Sequence, residues 1–231
     1  MIDPKHNCIF IHIPKTAGSF IEVALMDGRE KDKVDLSNTD LKKVMINYIR
    51  NGHVCMKVTG VPEHLATMKH WPHRSYIKHV DRSEKYFKFA FVRNPWSRLH
   101  SLYNYMRCEG KNLYVRNNNF NQWIELLGKY SGTWRMRNLL GYAPYYSVAQ
   151  FAFLRPVERL DFIGKIENLK SDFSYVMKEI GIDSSKVDFN KKINKSKKVE
   201  SPWDAYTDKA KEIVQRLCQR DIDHWEYEFG K

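Results

Sequence analysis

Residues 8–26 read CIFIHIPKTAGSFIEVALM, and this stretch decides the fold. Its first part, 8–13, is an apolar run that ends at Pro14, as expected of a parallel strand buried on both faces. A turn at 15–18 leads into 19–26, which has the pattern of a helix. A strand, a tight turn and a helix in this order form the basic unit of an α/β protein.

Residues 86–106 repeat this arrangement. The segment 86–92 reads YFKFAFV and is typical of a strand, because aromatic and β-branched residues dominate it. Asn94 is a natural helix cap and Pro95 suits the first helical position, so a helix is predicted to run to about residue 106. Two such strand–turn–helix units predict a layered α/β fold.

The rest of the chain supplies further elements. A third short strand is predicted at 161–166, a helix at 168–180 and a final amphipathic helix at 207–224. The segment 186–202 is rich in lysine and is expected to form a loop. Residues 120–140 are predicted to be helical, with these core candidates: Trp123, Leu126, Leu127, Leu139 and Leu140.

Composition limits the number of domains and the kind of partner. With 231 residues, of which 42% are hydrophobic, the chain can bury one substantial core, and we expect a single domain over 1–231. The formal net charge of +12 favours an anionic partner. That partner could be a nucleic acid, a membrane surface, a polyanionic glycan or a phosphorylated cofactor, and charge alone does not choose among them.

The cysteines, at positions 8, 55, 108 and 218, lie far apart and include no CxxC pair. This spacing indicates neither a disulfide framework nor a zinc site, so we expect a reducing compartment and no metal. The longest apolar run near the start is too short for a signal peptide or a membrane span. We therefore expect a cytoplasmic protein without a membrane anchor.

The turn after the first strand has the chemistry of a phosphate-binding site. Lys15, Thr16 and Ser19 supply a cation and two hydroxyls where backbone N–H groups and the helix dipole favour anions. The segment is not a Walker A motif, because Lys15 precedes Gly18, the turn's only glycine. An ordinary NTPase is therefore disfavoured, although an incidental lysine in a turn is an alternative for this segment by itself.

A second anion site is predicted where the 86–92 strand ends. Arg93 follows that strand, and Asn94, Arg98 and Ser101 lie near one face of the next helix by their spacing. An arginine and a hydroxyl that converge beside a helix N-terminus suit a phosphate. Two anion sites at the carboxyl ends of two strands in one sheet indicate one ligand with two separated phosphate-like groups.

Together these motifs resemble those of the sulfotransferases that use 3′-phosphoadenosine 5′-phosphosulfate (PAPS). PKTAGS at 14–19 is similar to their 5′-phosphosulfate loop, and RNPxxRxxSxY at 93–103 is similar to their 3′-phosphate motif. The segments FIGKIENLKSDF at 162–173 and VQRLCQRDIDHWEY at 214–227 also resemble the carbohydrate-type family. The resemblance implies a three-layer, P-loop-like fold and sulfuryl transfer to an acceptor hydroxyl, with a carbohydrate as the favoured acceptor. Segments 28–68 and 107–150 carry no recognisable part of it.

The resemblance also implies roles for matching residues. Lys15 would lie at the bridging oxygen of the phosphosulfate, and a loop at 194–196, which includes Lys195, would cover the nucleotide. The 5′-phosphate would be held by Thr16, Ala17, Gly18 and Ser19. The 3′-phosphate would be held by Arg93 and Ser101. Phe20 departs from the family pattern, since many relatives carry a further hydroxyl there.

A general base is needed to take the proton of the acceptor hydroxyl, and imidazole is suited to this near neutral pH. His70 is the first choice, because the family tends to place a histidine at the start of the helix before the central strand. His53 and His73 are alternatives, and packing is the favoured role of His12. Should no histidine serve, the next candidates are carboxylates such as Glu167, for which a structural role is favoured, and Glu63.

Two other classes of protein remain as alternatives. A nucleotide or polynucleotide kinase would share a phosphate-binding turn, but it should show a Walker lysine and acidic magnesium ligands, which this sequence lacks. A nucleic-acid-binding protein agrees with the net charge and with aromatic residues near basic ones, such as Trp71 and Trp134. No known nucleic-acid-binding motif supports it further, and we expect no nucleic acid partner.

Overall fold

The structure is a computed structural model of the 231-residue chain. It describes residues 1–3, 6–26, 32–35, 55–59, 72–74, 77, 83–110, 112–133, 135–140, 148–189 and 201–231.

A six-stranded sheet organises the described residues, and most of its neighbouring strands are parallel. Its strands are β1 Ile2–Asp3, β2 Cys8–Ile11, β3 Asp32–Asp35, β4 Cys55–Thr59, β5 Phe87–Val92 and β6 Phe162–Lys165, in the spatial order β3-β4-β1-β2-β5-β6. The pairs β3–β4, β2–β5 and β5–β6 are parallel, whereas β1 is antiparallel to both of its neighbours.

Helices flank the sheet or follow its strands in the chain. They are α1 Gly18–Met26, α2 Pro95–Glu109, α3 Leu113–Arg116, α4 Phe120–Lys129, α5 Arg135–Leu140, α6 Phe151–Leu154, α7 Leu169–Glu179, α8 Asp208–Leu217 and α9 Gln219–Trp225. The predicted α/β class, with a central and mostly parallel sheet flanked by helices, is confirmed.

The chain packs as two compact units. The first comprises Met1–Val92 and Phe153–Ile193, and the second comprises Arg93–Ala152 and Asn194–Lys231. Each unit is built from two separate stretches of sequence, so neither is a simple N- or C-terminal half. The expectation of one domain over 1–231 stays a prediction.

The core of the first unit lies between the sheet and two helices. Phe10 and Phe89 stack with their ring centroids 5.1 Å apart, as side chains of the neighbouring strands β2 and β5. Ile21 and Leu25 of α1 pack in this core without exposed surface, and so do these residues of α7: Phe173, Val176 and Met177. Every residue of β2 is buried, as the apolar run predicted.

The second unit has its own core, to which α2, α4 and α8 contribute. Trp123 of α4 is fully buried, and its indole Nε1 donates to the Leu139 carbonyl over 3.0 Å. Leu99 of α2 and Val214 of α8 belong to the same cluster. Of the core residues predicted in 120–140, only Leu126 is partly rather than fully buried.

Most predicted elements are confirmed, but two helices are shorter than predicted. The segment 120–140 is not one helix, because α4 ends at Lys129 and Gly132 adopts a left-handed φ of 76° before α5 begins. The final helix is interrupted at Cys218, which separates α8 from α9. Helix α2 extends to Glu109, where Gly110 ends it with a left-handed φ of 66°.

Candidate functional site

The turn between β2 and α1 has an alternating backbone. Lys15 has a φ of 70° and Ala17 a φ of 59°, whereas Thr16 between them does not have a positive φ. Left-handed backbone is costly for residues with a Cβ, by about 1–2 kcal/mol each. Such alternation points successive backbone N–H groups into one concavity, which is the geometry of an anion-binding nest. The strain therefore occurs where the sequence predicts a phosphate.

The side chains of this turn divide into inward and outward groups. Thr16 is fully buried, and its Oγ1 donates to the Ile13 carbonyl over 2.9 Å. Its hydroxyl hydrogen thus stabilises the turn, which leaves the backbone N–H of Thr16 as the group suited to an anion. Lys15 and Ser19 are partly exposed. These two side chains can reach a ligand that lies over the turn.

Phe20 takes a packing role at the position where the family pattern has a hydroxyl. Its ring lies 6.1 Å from Phe173 and 5.8 Å from Phe189, measured between centroids. The side chain that departs from the pattern is therefore part of the first unit's core.

The second motif begins at the residue after β5. The Asn94 side chain accepts a hydrogen bond from the Trp96 N–H over 3.2 Å, and Pro95 is the first residue of α2. The predicted cap is confirmed. The Asn94 amide also donates to the carbonyls of Glu228 and Lys231 over 2.8 and 3.0 Å. Asn94 is thus 1% exposed and serves the local structure.

Arg93 is oriented by a residue that the sequence reasoning missed. Its Nε donates to Ser97 Oγ over 2.9 Å, and both Arg93 and Ser101 are partly exposed. Ser97 and Ser101 are four residues apart and lie along one face of α2, and Arg93 precedes Ser97 by another four residues. That spacing is the signal that could have identified Ser97.

Arg98 does not lie with this group, so its assignment to the anion site is wrong. It has no exposed surface, and its Nη2 donates to the Val148 carbonyl. Helical spacing predicts Arg98 on the same face of α2 as Ser101, but the guanidinium is buried inside the second unit.

The side chain of Gln150 forms two hydrogen bonds with the backbone of Arg93. The Arg93 N–H donates to Gln150 Oε1 over 2.9 Å, and Gln150 Nε2 donates back to the Arg93 carbonyl over 2.7 Å. Asp221 in turn accepts from the N–H groups of Gln150 and Phe151, over 2.6 and 2.8 Å. Gln150 and Asp221 are both fully buried. This chain of contacts fixes the residue that leaves β5.

Burial raises the pKa of the Asp221 carboxyl, and the hydrogen bonds from Gln150 and Phe151 and the charge of Arg98 oppose the rise. Because the folded-state pKa is raised, the contribution of this carboxyl to stability is greatest below the ordinary carboxyl pKa. It decreases as the pH rises through the folded-state pKa.

Among the candidate bases, the structure describes His73. Its Nδ1 donates to the carbonyls of Leu154 and Pro156 over 3.3 and 3.0 Å, and its ring has no exposed surface. Burial lowers its pKa, despite the two backbone hydrogen bonds, and so favours the neutral ring. An acceptor hydroxyl cannot reach a fully buried ring, and packing accounts for His73.

Several predicted site residues lie outside the described residues: His53, Glu63, His70 and the 194–196 loop with Lys195. Glu167 is exposed in the short 3₁₀ turn before α7.

In the described parts of the chain, no group of three or more His, Cys, Asp or Glu side chains could hold a metal ion. The helices described are all too short or too polar to cross a bilayer.

Comparison with known proteins identifies a family for this chain. The model of the sulfotransferase family matches residues 1–228, which include the 14–19 and 93–103 motifs. Among solved structures, the chain is similar to a sulfotransferase from Alicyclobacillus acidocaldarius, with 14% identity and a TM-score of 0.45. That match covers 94% of this chain and 97% of the other. A search of curated proteins gives no match.

We predict that Gln150→Ala lowers the free energy of unfolding by about 1–3 kcal/mol, because it leaves two backbone groups of Arg93 without their buried partner. Urea unfolding measures the loss. Gln219→Ala is the matched control, since the exposed Gln219 bonds only Asp223 at the surface. It should change stability by less than about 0.5 kcal/mol. Equal losses in the two variants would contradict the role of Gln150.

Proposed function

This chain belongs to the sulfotransferase family, and from that premise we propose that it transfers the sulfuryl group of PAPS to an acceptor hydroxyl. The observation that carries the proposal is the strained turn of Lys15 and Ala17 at the carboxyl end of β2. A turn of this kind collects backbone N–H groups around an anion without the Walker order of residues.

The groups offered by the two motifs fit the two ends of PAPS. The first turn combines backbone N–H groups with two side chains that can reach a ligand, Lys15 and Ser19. We assign the 5′-phosphosulfate to this turn, held by Thr16, Ala17, Gly18 and Ser19. We assign the 3′-phosphate to Arg93 and Ser101, since a partly exposed guanidinium forms charge-assisted hydrogen bonds to phosphate oxygens. Lys195 is assigned to the cover over the nucleotide.

Lys15 has the central chemical role in this proposal. When bound, PAPS supplies the sulfuryl group. Sulfuryl transfer resembles phosphoryl transfer in needing positive charge at the leaving oxygen. The Lys15 ammonium provides that charge, and its left-handed backbone fixes where the side chain starts. The protein's own cation thus suffices in this mechanism, and we propose no metal cofactor.

The acceptor is proposed to be a carbohydrate hydroxyl. The net charge of +12 favours an acceptor with anionic groups. His70 is proposed as the base that takes the proton of this hydroxyl. Family membership and the Lys15 turn favour this function over a kinase. Trp71 and Trp134, on which nucleic acid binding was based, lie outside the described residues.

Lys15→Ala should nearly abolish sulfuryl transfer, measured with labelled PAPS, because the ammonium stabilises the transition state more than the ground state. The loss of turnover should exceed the loss of PAP affinity, where PAP is the product 3′-phosphoadenosine 5′-phosphate. Lys178→Ala is the control, since it removes an exposed lysine from the last turn of α7. Wild-type turnover in Lys15→Ala would remove this residue from the mechanism.

Arg93→Ala should weaken PAP binding but not AMP binding, because only PAP has a 3′-phosphate. One lost charge-assisted contact costs roughly 1.5–3 kcal/mol, about ten- to hundredfold in affinity. Calorimetry with both nucleotides measures the difference. Arg107→Ala provides a matched loss of charge at an exposed position of α2, the helix that follows Arg93. If Arg93→Ala weakens PAP and AMP equally, the 3′-phosphate lies elsewhere.

His70→Ala should lower the turnover rate by roughly 10²–10⁴ while PAP affinity stays nearly intact, as expected when a general base is removed. The acidic limb of the pH–rate profile should disappear with it, because protonation of the base causes that limb. His53→Ala is a parallel variant that should keep both. His73→Ala should instead destabilise the fold, since that ring is buried. If His70→Ala keeps the rate and the limb, the base is another residue.

A further inference from the structure

A buried histidine and a buried glutamate lie on the two elements that flank the turn between β2 and α1. His12 is the first residue after β2, and Glu22 lies in the second turn of α1. His12 Nδ1 and Glu22 Oε1 are 2.6 Å apart, with only 4% and 1% of the two side chains exposed. The His12 ring also stacks on Phe10, at 5.4 Å between centroids and 21° between planes. The pair therefore connects the end of the strand to the body of the helix.

The opposite edge of the same ring faces the start of α1. A Cβ built on Gly18 would overlap the imidazole of His12, with Nε2, Cδ2 and Cε1 as its nearest atoms. Gly18 is therefore required by close approach, since any other residue would displace the ring. His12 thus contacts α1 twice, at Gly18 through its Nε2 edge and at Glu22 through Nδ1. The residues between His12 and Gly18 form the strained turn.

A polar pair at this depth is costly as a means of stabilisation alone. Removing a carboxyl and an imidazole from water has a desolvation penalty, and an apolar pair of similar volume is often as stable. A hydrogen bond, however, fixes direction and distance in a way that apolar packing does not. A role in geometry therefore accounts for the pair better than a role in stability.

We propose that His12, held by Glu22, is a positioning residue for the phosphate-binding turn. The ring sets the separation between the end of β2 and Gly18, and thereby the left-handed conformations of Lys15 and Ala17. Those conformations aim the backbone N–H groups of the turn. This role rests on the proposed function, because the readout is the binding of PAP and PAPS.

The test compares Glu22→Ala with Glu22→Gln, which keeps an oxygen acceptor for His12 Nδ1. Calorimetry should show PAP binding weakened about tenfold in Glu22→Ala and by less than about threefold in Glu22→Gln. The KM for PAPS should rise in parallel while kcat stays within about threefold, because the aimed N–H groups bind ground state and transition state alike. A purely structural role would instead reduce the active fraction, which lowers apparent kcat and leaves KM unchanged.

Met177→Ala is the control for lost stability, since Met177 is fully buried in the same core but belongs to α7. It should lower Tm and keep PAP affinity within about twofold. Should Glu22→Ala fail to fold, Glu22→Asp replaces it, since its shorter side chain draws the carboxylate away from the ring. Glu22→Asp should weaken PAP binding by about threefold or more.

Three results would overturn the proposal: an unchanged KM for PAPS in the folded Glu22→Ala or Glu22→Asp variant, an equal loss in Glu22→Gln, or a similar loss of PAP affinity in Met177→Ala. Absence of PAP binding by the wild-type protein is a different outcome. It would refute the proposed function itself, and the role of His12 in PAP binding with it.

Discussion

The parallel pairing of β2 with β5 is the constraint on which the candidate site depends. Cys8 lies opposite Phe87 and Ile11 lies opposite Ala90, so the two strands advance in register and reach the same edge of the sheet. Open α/β proteins bind ligands at this edge, outside the carboxyl ends of their strands. Each motif starts where one of these two strands ends. Two antiparallel strands would have ended at opposite edges.

Each motif is also supported by polar contacts that lie beneath it in its own unit. In the first, Thr16 bonds the Ile13 carbonyl and His12 bonds Glu22. In the second, Gln150 forms hydrogen bonds with the backbone of Arg93, and Asp221 accepts a hydrogen bond from the N–H of Gln150. Buried polar contacts rigidify a structure when their members are satisfied. These contacts therefore restrain the backbone from which each motif starts.

The local features of this fold could be predicted from sequence because their causes are local. The apolar run of β2 and the Asn94 cap each depend on a few consecutive residues, and both are confirmed. Arg98 was misassigned because helical spacing identifies a face but not what covers it. Gln150 and Asp221 could not be recognised, since 71 residues separate them and only tertiary packing brings them together.

The interruptions of predicted helices have a similar explanation. Periodicity across 120–140 is compatible with one helix or with two, because the apolar positions can face one core in either case. The left-handed Gly132 decides between them, and a single glycine within a helical pattern does not by itself require a break. His12 and Glu22 are only ten residues apart, yet their pairing depends on the direction of the first side chain after the strand. That direction is set by the sheet, which the local sequence does not specify.

The two motifs and the contacts that support them include features that oppose folding. Left-handed backbone at Lys15 and Ala17 opposes folding by about 1–2 kcal/mol each, and the buried carboxyl of Asp221 carries a desolvation penalty. A sequence selected for stability alone would place glycine at 17, where the backbone is left-handed. Glycine would relax the turn, but it would also allow conformations in which the N–H groups diverge. Preorganised N–H groups need no reorganisation when an anion binds, so the proposed site would gain in affinity what the fold loses in stability. This balance accounts for the left-handed backbone of Lys15 and Ala17 in the turn where β2 ends.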